Sequence, residues 1–199
     1  MQRTSDYVQK YLLRGSFLFT VGIAFLGAGT VRARQSKPKA KKYRLSYKKR
    51  YHKSRKLFRK AEKARSKFLT LRLLSEGRGR TYSQRRVFKD GRSLYRLYNK
   101  VVNLNVSRWL IASRYRQCEL NEIFARKMLN APVPKRLSKK HIKEYKGIIS
   151  SRAFGFLEKA ASCYAKVYKR AKKLKLRSQW RYRAKKKKLA LAKELGVKF

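Results

Sequence analysis

The chain has 199 residues, with 58 Lys and Arg against 9 Asp and Glu and a formal charge of +49. That balance excludes most soluble enzymes and ordinary binding domains, and fits a protein that folds in lasting contact with RNA or DNA. Hydrophobic residues make up 43% and aromatics 13%, more than a disordered polybasic chain carries, so one small core with extensions is expected.

Residues 1–34 read as a separate unit. Arg3, Lys10 and Arg14 are its bases up to an apolar run at 17–31. That run, 15 residues long, is shorter than the ~20 a membrane-spanning helix needs. A secretory signal and an organellar import sequence both fit, and the second is preferred because a chain this basic has little use outside the cell. Residues 32–50 mix Arg and Lys with little that is apolar. They suggest an arm along phosphates, with a solvated linker as the alternative.

A helix is predicted over 54–74, with Leu57, Ala61, Ala64, Phe68 and Leu71 as one stripe at spacings of four and three. Nearly every other position is Lys or Arg, so the helix repels itself unless a polyanion lies along it. Gly77 and Gly79 are expected to stop it. The loop that follows, to Gly91, sets Arg78, Arg80, Arg85 and Arg86 beside Tyr82 and Phe88. That pairing suits phosphate contact with base stacking, or aromatics packing on the core.

A second helix is predicted over 93–103, with Leu94, Leu97, Tyr98, Val101 and Val102 inward. A third opens at Val106, with Ser107 as its expected cap, and carries Trp109, Leu110, Ser113, Gln117, Leu120, Phe124 and Met128 on one side. Pro132 and Pro134 end it. Residues 138–146 read as a short basic helix or loop. The last clear helix, 148–176, has Ala153, Leu157, Ala160, Tyr164, Val167, Ala171 and Leu174 on its face. Residues 177–199 read equally as a disordered end or as a helix formed on RNA. No strand pattern competes, so the expected fold is all-α: an N-terminal extension at 1–34, a basic arm, helix and loop at 35–91, a helical globular domain at 92–176 and a basic tail at 177–199.

Cys118 and Cys163 are the only cysteines and His52 and His141 the only histidines, with no metal-ligand spacing among them. Two reduced thiols are expected, with a disulfide between them as the open alternative. No acid–base pair or metal cluster is apparent, so neither an enzyme nor a cofactor is expected.

The string Val106-Ser107-Arg108-Trp109-Leu110-Ile111-Ala112, followed by Glu119-Leu120-Asn121, resembles the C-terminal domain of the bacterial-type large-subunit ribosomal protein L-twenty family. Ser107, Trp109, Glu119, Leu120 and Asn121 fall on its Tyr-Ser-x-Phe and Glu-(Leu/Ile)-(Asn/Asp) positions, Trp109 standing where the family has Phe. Three more strings agree in order. Arg55-Lys56-Leu57-Phe58-Arg59-Lys60-Ala61 is similar to Arg-x-x-Tyr-Arg-x-Ala. Arg92-Ser93-Leu94-Tyr95 is similar to Arg-x-Leu-Trp, and Ala153-Phe154 with Leu157, Glu158, Lys159 and Ala160 resembles the closing helix. The resemblance covers about residues 50–160; residues 77–88 read as an insertion, and 125–151 are longer than in the family.

The resemblance implies a protein that binds large-subunit ribosomal RNA, acts early in subunit assembly and has ribosomal proteins as neighbours. The added ends and import-like start suggest an organellar version, mitochondrial in preference to plastid. Under that reading Arg44, Lys48, Lys49, Arg50, Lys53, Arg55, Lys56, Arg59, Lys60 and Arg65 contact phosphates. Tyr47, Tyr51, Tyr82 or Phe88 stack on bases, and Arg78, Arg80, Arg85 and Arg86 contribute from the loop. The apolar stripe of the basic helix is then expected to meet RNA sugars, a neighbouring protein or the insertion after Gly77. Trp109, Leu120, Phe154 and Leu157 are expected in the core, each worth about 1.5–3 kcal/mol on burial. Two other classes fit the charge: a histone-like DNA-compacting protein, disfavoured by the abundance of Arg and Tyr, and a polybasic membrane-surface protein anchored by 17–31. Membrane contact and a small-molecule substrate are not expected.

Overall fold

Ser46 opens the first helix: its hydroxyl accepts from the Lys49 amide at 3.5 Å, satisfying one of the donors a helix start leaves free. The computed structural model describes residues 46–74, 77–135 and 137–197. The apolar run at 17–31 and the arm up to Leu45, Arg44 included, lie outside the described residues. Helix α1 spans Tyr47–Thr70, α2 Gly77–Val102, α3 Ser107–Leu129, α4 Lys139–Lys173 and α5 Gln179–Leu195. As expected, the described residues are all-helical, with no strand among them.

The apolar stripe of α1 meets this chain's own core rather than RNA or a neighbour. Ser54, Phe58, Ala61 and Phe68 are buried. The Phe58 ring lies 5.2 Å from Trp109, 6.0 Å from Tyr98 and 6.1 Å from Trp180, so one side chain ties α1 to α2, α3 and α5. The helix starts seven residues earlier than periodicity suggested, because the Ser46 cap and the packing of Tyr51 on Trp109 at 6.0 Å order its first turns. It ends at Thr70, where the Lys127 ammonium donates to the carbonyls of Leu69 and Leu71. A cation at the negative end of a helix complements its dipole.

The loop expected before Gly91 is instead the first half of α2, so a single helix covers both it and the expected second helix. Ser83, Val87, Gly91, Leu94, Tyr98 and Val101 are buried at helical spacing. Gly91 belongs to this stripe because nothing larger fits: a Cβ there would stand 2.3 Å from Phe124 Cζ. The Phe124 ring has little room to retreat, with Phe68, Phe88 and Phe156 within 5.6–6.2 Å of it. Gly91→Ala is therefore expected to destabilise. Overpacking costs about 1–3 kcal/mol against about 1 kcal/mol of helix propensity gained. A lower denaturant midpoint for Gly91→Ala, recovered by pairing it with Phe124→Leu, is the measurement that checks this.

Asn105, at φ 52°, turns the chain tightly between α2 and α3. Val106, not Ser107, is the N-cap of α3, and no side chain caps it. Helix α3 packs on all four others and is the centre of the bundle. Its expected inward residues Leu110, Ser113, Gln117, Leu120 and Met128 are buried, while Trp109 and Phe124 are half-buried. The short helix or loop expected at 138–146 and the helix after it are one 35-residue helix, α4, capped by Ser138. Leu157 is in the core as expected, but Phe154 is 42% exposed, on the outer side of α4.

The tail is a helix packed on protein. Trp180, Ala184 and Leu191 are the buried face of α5, and the Trp180 ring sits 5.3 Å from Tyr115. Helices α1 to α5 lie in one compact unit. Cys118 and Cys163 form a disulfide between α3 and α4, correcting the expectation of two free thiols. By closing 45 residues of chain it is worth about 2–4 kcal/mol.

Candidate nucleic-acid interface

Four of the seven acids among the described residues link one helix to another. Glu62 of α1 accepts from the Tyr98 hydroxyl of α2 at 2.5 Å and from the Arg116 guanidinium of α3 at 2.7 and 3.0 Å. Glu119 accepts from Arg116 at 2.8 Å and from Arg65 of α1 at 2.9 Å. Glu122 accepts from the Tyr164 hydroxyl of α4 at 3.0 Å and from Lys187 of α5 at 2.7 Å. Glu194 of α5 makes a two-pronged pair with Arg126 of α3. Four carboxylates thus join all five helices, and none of the four is left free to oppose an anion outside.

These pairings shape the titration of their partners. Burial works against the Arg116 charge, but Glu119 and Glu62 outweigh it and hold its pKa above the usual value. Tyr98 is pushed far up by burial and then by its bond to Glu62; Tyr164 is pushed far up by burial and then by the charge of Glu122. The unfolded chain loses these phenol protons near pH 10.0, while the folded protein keeps them. This contribution to stability is therefore complete below pH 10 and falls as pH rises further, by about 1.4 kcal/mol per phenol per pH unit. Phenolate absorbance is expected to show these two tyrosines ionising only together with the loss of helical circular dichroism. Free titration of all tyrosines with the helices intact would contradict it.

With Glu62 turned inward, the outer side of α1 carries exposed cations and no carboxylate, with His52 and Ser66 among them. Lys48, Lys49, Lys53, Arg55, Lys56, Arg59 and Lys60 are exposed, as the sequence reading expected, and Lys63 and Lys67 join them. These nine cations span 20 residues, about 29 Å of helix, or one per ~3 Å; one nucleic-acid strand carries a phosphate about every 3.4 Å. No family model, curated protein or solved structure matches this chain.

The remaining expected contacts divide. Tyr47 is 63% exposed and Tyr82 66%, each with ring surface open to solvent. Arg50 is half-buried, its guanidinium 5.9 Å from the Tyr47 ring and its Nε without a partner. Tyr51 is packed against Trp109 and Phe88 is stacked on Phe124 at 5.6 Å, so neither is an open platform for a base. Arg65 is committed to Glu119. Arg85 and Arg86 are exposed on α2, Arg86 beside Asp90 at 3.9 Å. The side chains of Arg78 and Arg80 lie outside the described residues.

None of the five helices has an acid in its first turn. Several put bases there instead: Lys48 and Lys49 in α1, Lys139 and Lys140 in α4, Arg181 in α5. Cations at the positive end of a helix dipole are unfavourable by a few tenths of a kcal/mol to about 1 kcal/mol each, a cost that a bound anion removes. Sequence reasoning missed Arg116 and left the cations of α5 open between a solvated tail and a helix formed on RNA. The first looks like one more base until Glu62 and Glu119 are seen on either side of it, and the second sat in a segment with only a weak helical pattern. Among the described residues no helix is long and apolar enough to cross a membrane, and no group of His, Cys, Asp and Glu could hold a metal.

Proposed function

We propose that this chain is an RNA-scaffolding protein, a structural constituent of the large ribosomal subunit of an organelle, a mitochondrion in preference to a plastid. The observation that carries the reading is the outer side of α1: nine exposed cations at roughly phosphate spacing, with the one acid of that helix, Glu62, turned into the bundle. Such a face bridges RNA segments that otherwise repel each other, positioning them through phosphates rather than reading bases. Exposed Tyr47 and Tyr82 add stacking on unpaired bases.

The residues that resemble the L-twenty family also support it by where they lie. Ser107, Trp109, Glu119, Leu120 and Asn121 are all on α3, the central helix; Arg55 to Ala61 are on α1, Arg92 to Tyr95 on α2 and Ala153 to Ala160 on α4. The disulfide is uncommon for a reducing compartment; its Cys118 half is fully buried and its Cys163 half is half-buried. Competition at matched salt between structured large-subunit ribosomal RNA and duplex DNA of equal length tests the reading. The RNA is expected to win by at least tenfold. Equal affinity would favour a general nucleic-acid compactor instead.

A further inference from the structure

An open cleft of about 510 Å³ lies where α4 gives way to α5. Tyr168 of α4, Arg177 and Ser178 of the connection, and Arg181, Tyr182 and Lys185 of α5 line it. No carboxylate is among the lining residues. The Arg181 guanidinium lies 5.8 Å from the centre of the Tyr168 ring, which orients it. Arg177 and Lys185 are exposed, and the Tyr182 ring is 69% exposed beside them.

Three cations around an open aromatic ring are a particular combination. Cations alone would suit any phosphate backbone. The exposed ring adds a surface for the face of a base, and a base offers its face only when it is not stacked within a duplex. The cleft is large enough for one nucleotide. The start of α5, with no acid in its first turn, adds its own partial positive charge.

We propose that this cleft binds one unpaired nucleotide of RNA, the base stacking on Tyr182 and the flanking phosphates meeting Arg177, Arg181 and Lys185. The inference rests on the RNA-binding reading and deepens it, adding on the C-terminal helix a contact selective for single-stranded RNA. It differs from the α1 face, whose phosphate contacts serve paired and unpaired RNA alike.

The test uses the full chain and two fluorescent RNA probes, a stem carrying a bulge of unpaired uridines and the same stem fully paired. Tyr182→Ala is expected to weaken binding of the bulged stem about five- to 150-fold, the range for losing one base–aromatic stack, and to leave the paired stem unchanged. Tyr182→Phe is expected to bind both like the parent chain. The proposal is overturned if Tyr182→Ala weakens both probes equally or neither, or if Tyr182→Phe behaves like Tyr182→Ala. Because Tyr182 is exposed, these variants leave the core intact, and unchanged helical circular dichroism verifies that. In the same assay, Arg55→Ala with Arg59→Ala is expected to weaken both probes. Failure of that pair to weaken either would count against the RNA role of α1, whereas the cleft is judged by the ratio between probes.

Discussion

Arg116→Ala is expected to lower the free energy of unfolding by about 3–5 kcal/mol, the usual cost of removing one partner from a buried ion pair. Folded domains of this size hold only about 5–15 kcal/mol in total. Arg116 is 12% exposed and bridges Glu62 at 29% and Glu119 at 16%. Its loss leaves two partly buried carboxylates close together, with Arg65 as the remaining cation beside Glu119. It also removes the guanidinium 4.9 Å from the Trp180 ring, loosening the seat of α5. Arg116→Lys keeps the charge but not the fork that reaches both acids, so an intermediate loss is expected. Denaturant unfolding checks this, with Arg55→Ala as the exposed comparison, expected within about 0.5 kcal/mol of the parent. A loss under about 1 kcal/mol for Arg116→Ala would mean that the network does not hold the helices together.

The second large effect is on binding. If α1 neutralises six or more phosphates, affinity for ribosomal RNA falls roughly 10³- to 10⁵-fold between 50 and 200 mM salt. Arg55→Ala with Arg59→Ala is expected to flatten the slope of log affinity against log salt by about 1.4 to 1.8, two phosphates at ~0.7 to ~0.9 each. Arg65→Ala separates the two roles of arginine on this helix. Its guanidinium is held by Glu119, so stability is expected to fall while the salt slope stays where it was. A shallow slope in the parent chain, or a slope that Arg65→Ala changes as much as the Arg55 and Arg59 pair does, would contradict the division between inner and outer bases.

The sequence carried the helices that own a clean apolar stripe. The inward faces of α3 and α4 could be read from spacing alone, because Leu110, Leu120, Leu157 and Ala160 obey the three-four rule without interruption. It misled where glycine counts as a helix breaker. Gly91 reads as the edge of a loop, yet it lies in mid-helix because Phe124 needs the space that a Cβ would take. The stripe on α1 was visible but its partner was not. Phe58 and Phe68 find Trp109, Trp180 and Phe124 across long sequence separations, and periodicity within one helix holds no information on which surface it meets. The basic face of α1 was legible for a related reason: what is not in the stripe faces out. Two bases depart from this, Arg50, which is half-buried, and Arg65, which only the acid from α3 turns inward. For α5 the apolar signal is thin, three buried residues among seven bases, and the tertiary seat of Trp180 settles what propensity leaves even.

Sedimentation of an organelle lysate through a salt-containing gradient tests the central proposal most directly. The chain is expected to travel with the large ribosomal subunit at moderate salt and to leave it as salt is raised, the Arg55→Ala and Arg59→Ala variant leaving first. A chain that stays at the top of the gradient at every salt concentration, or travels with DNA after RNase treatment, would contradict the account.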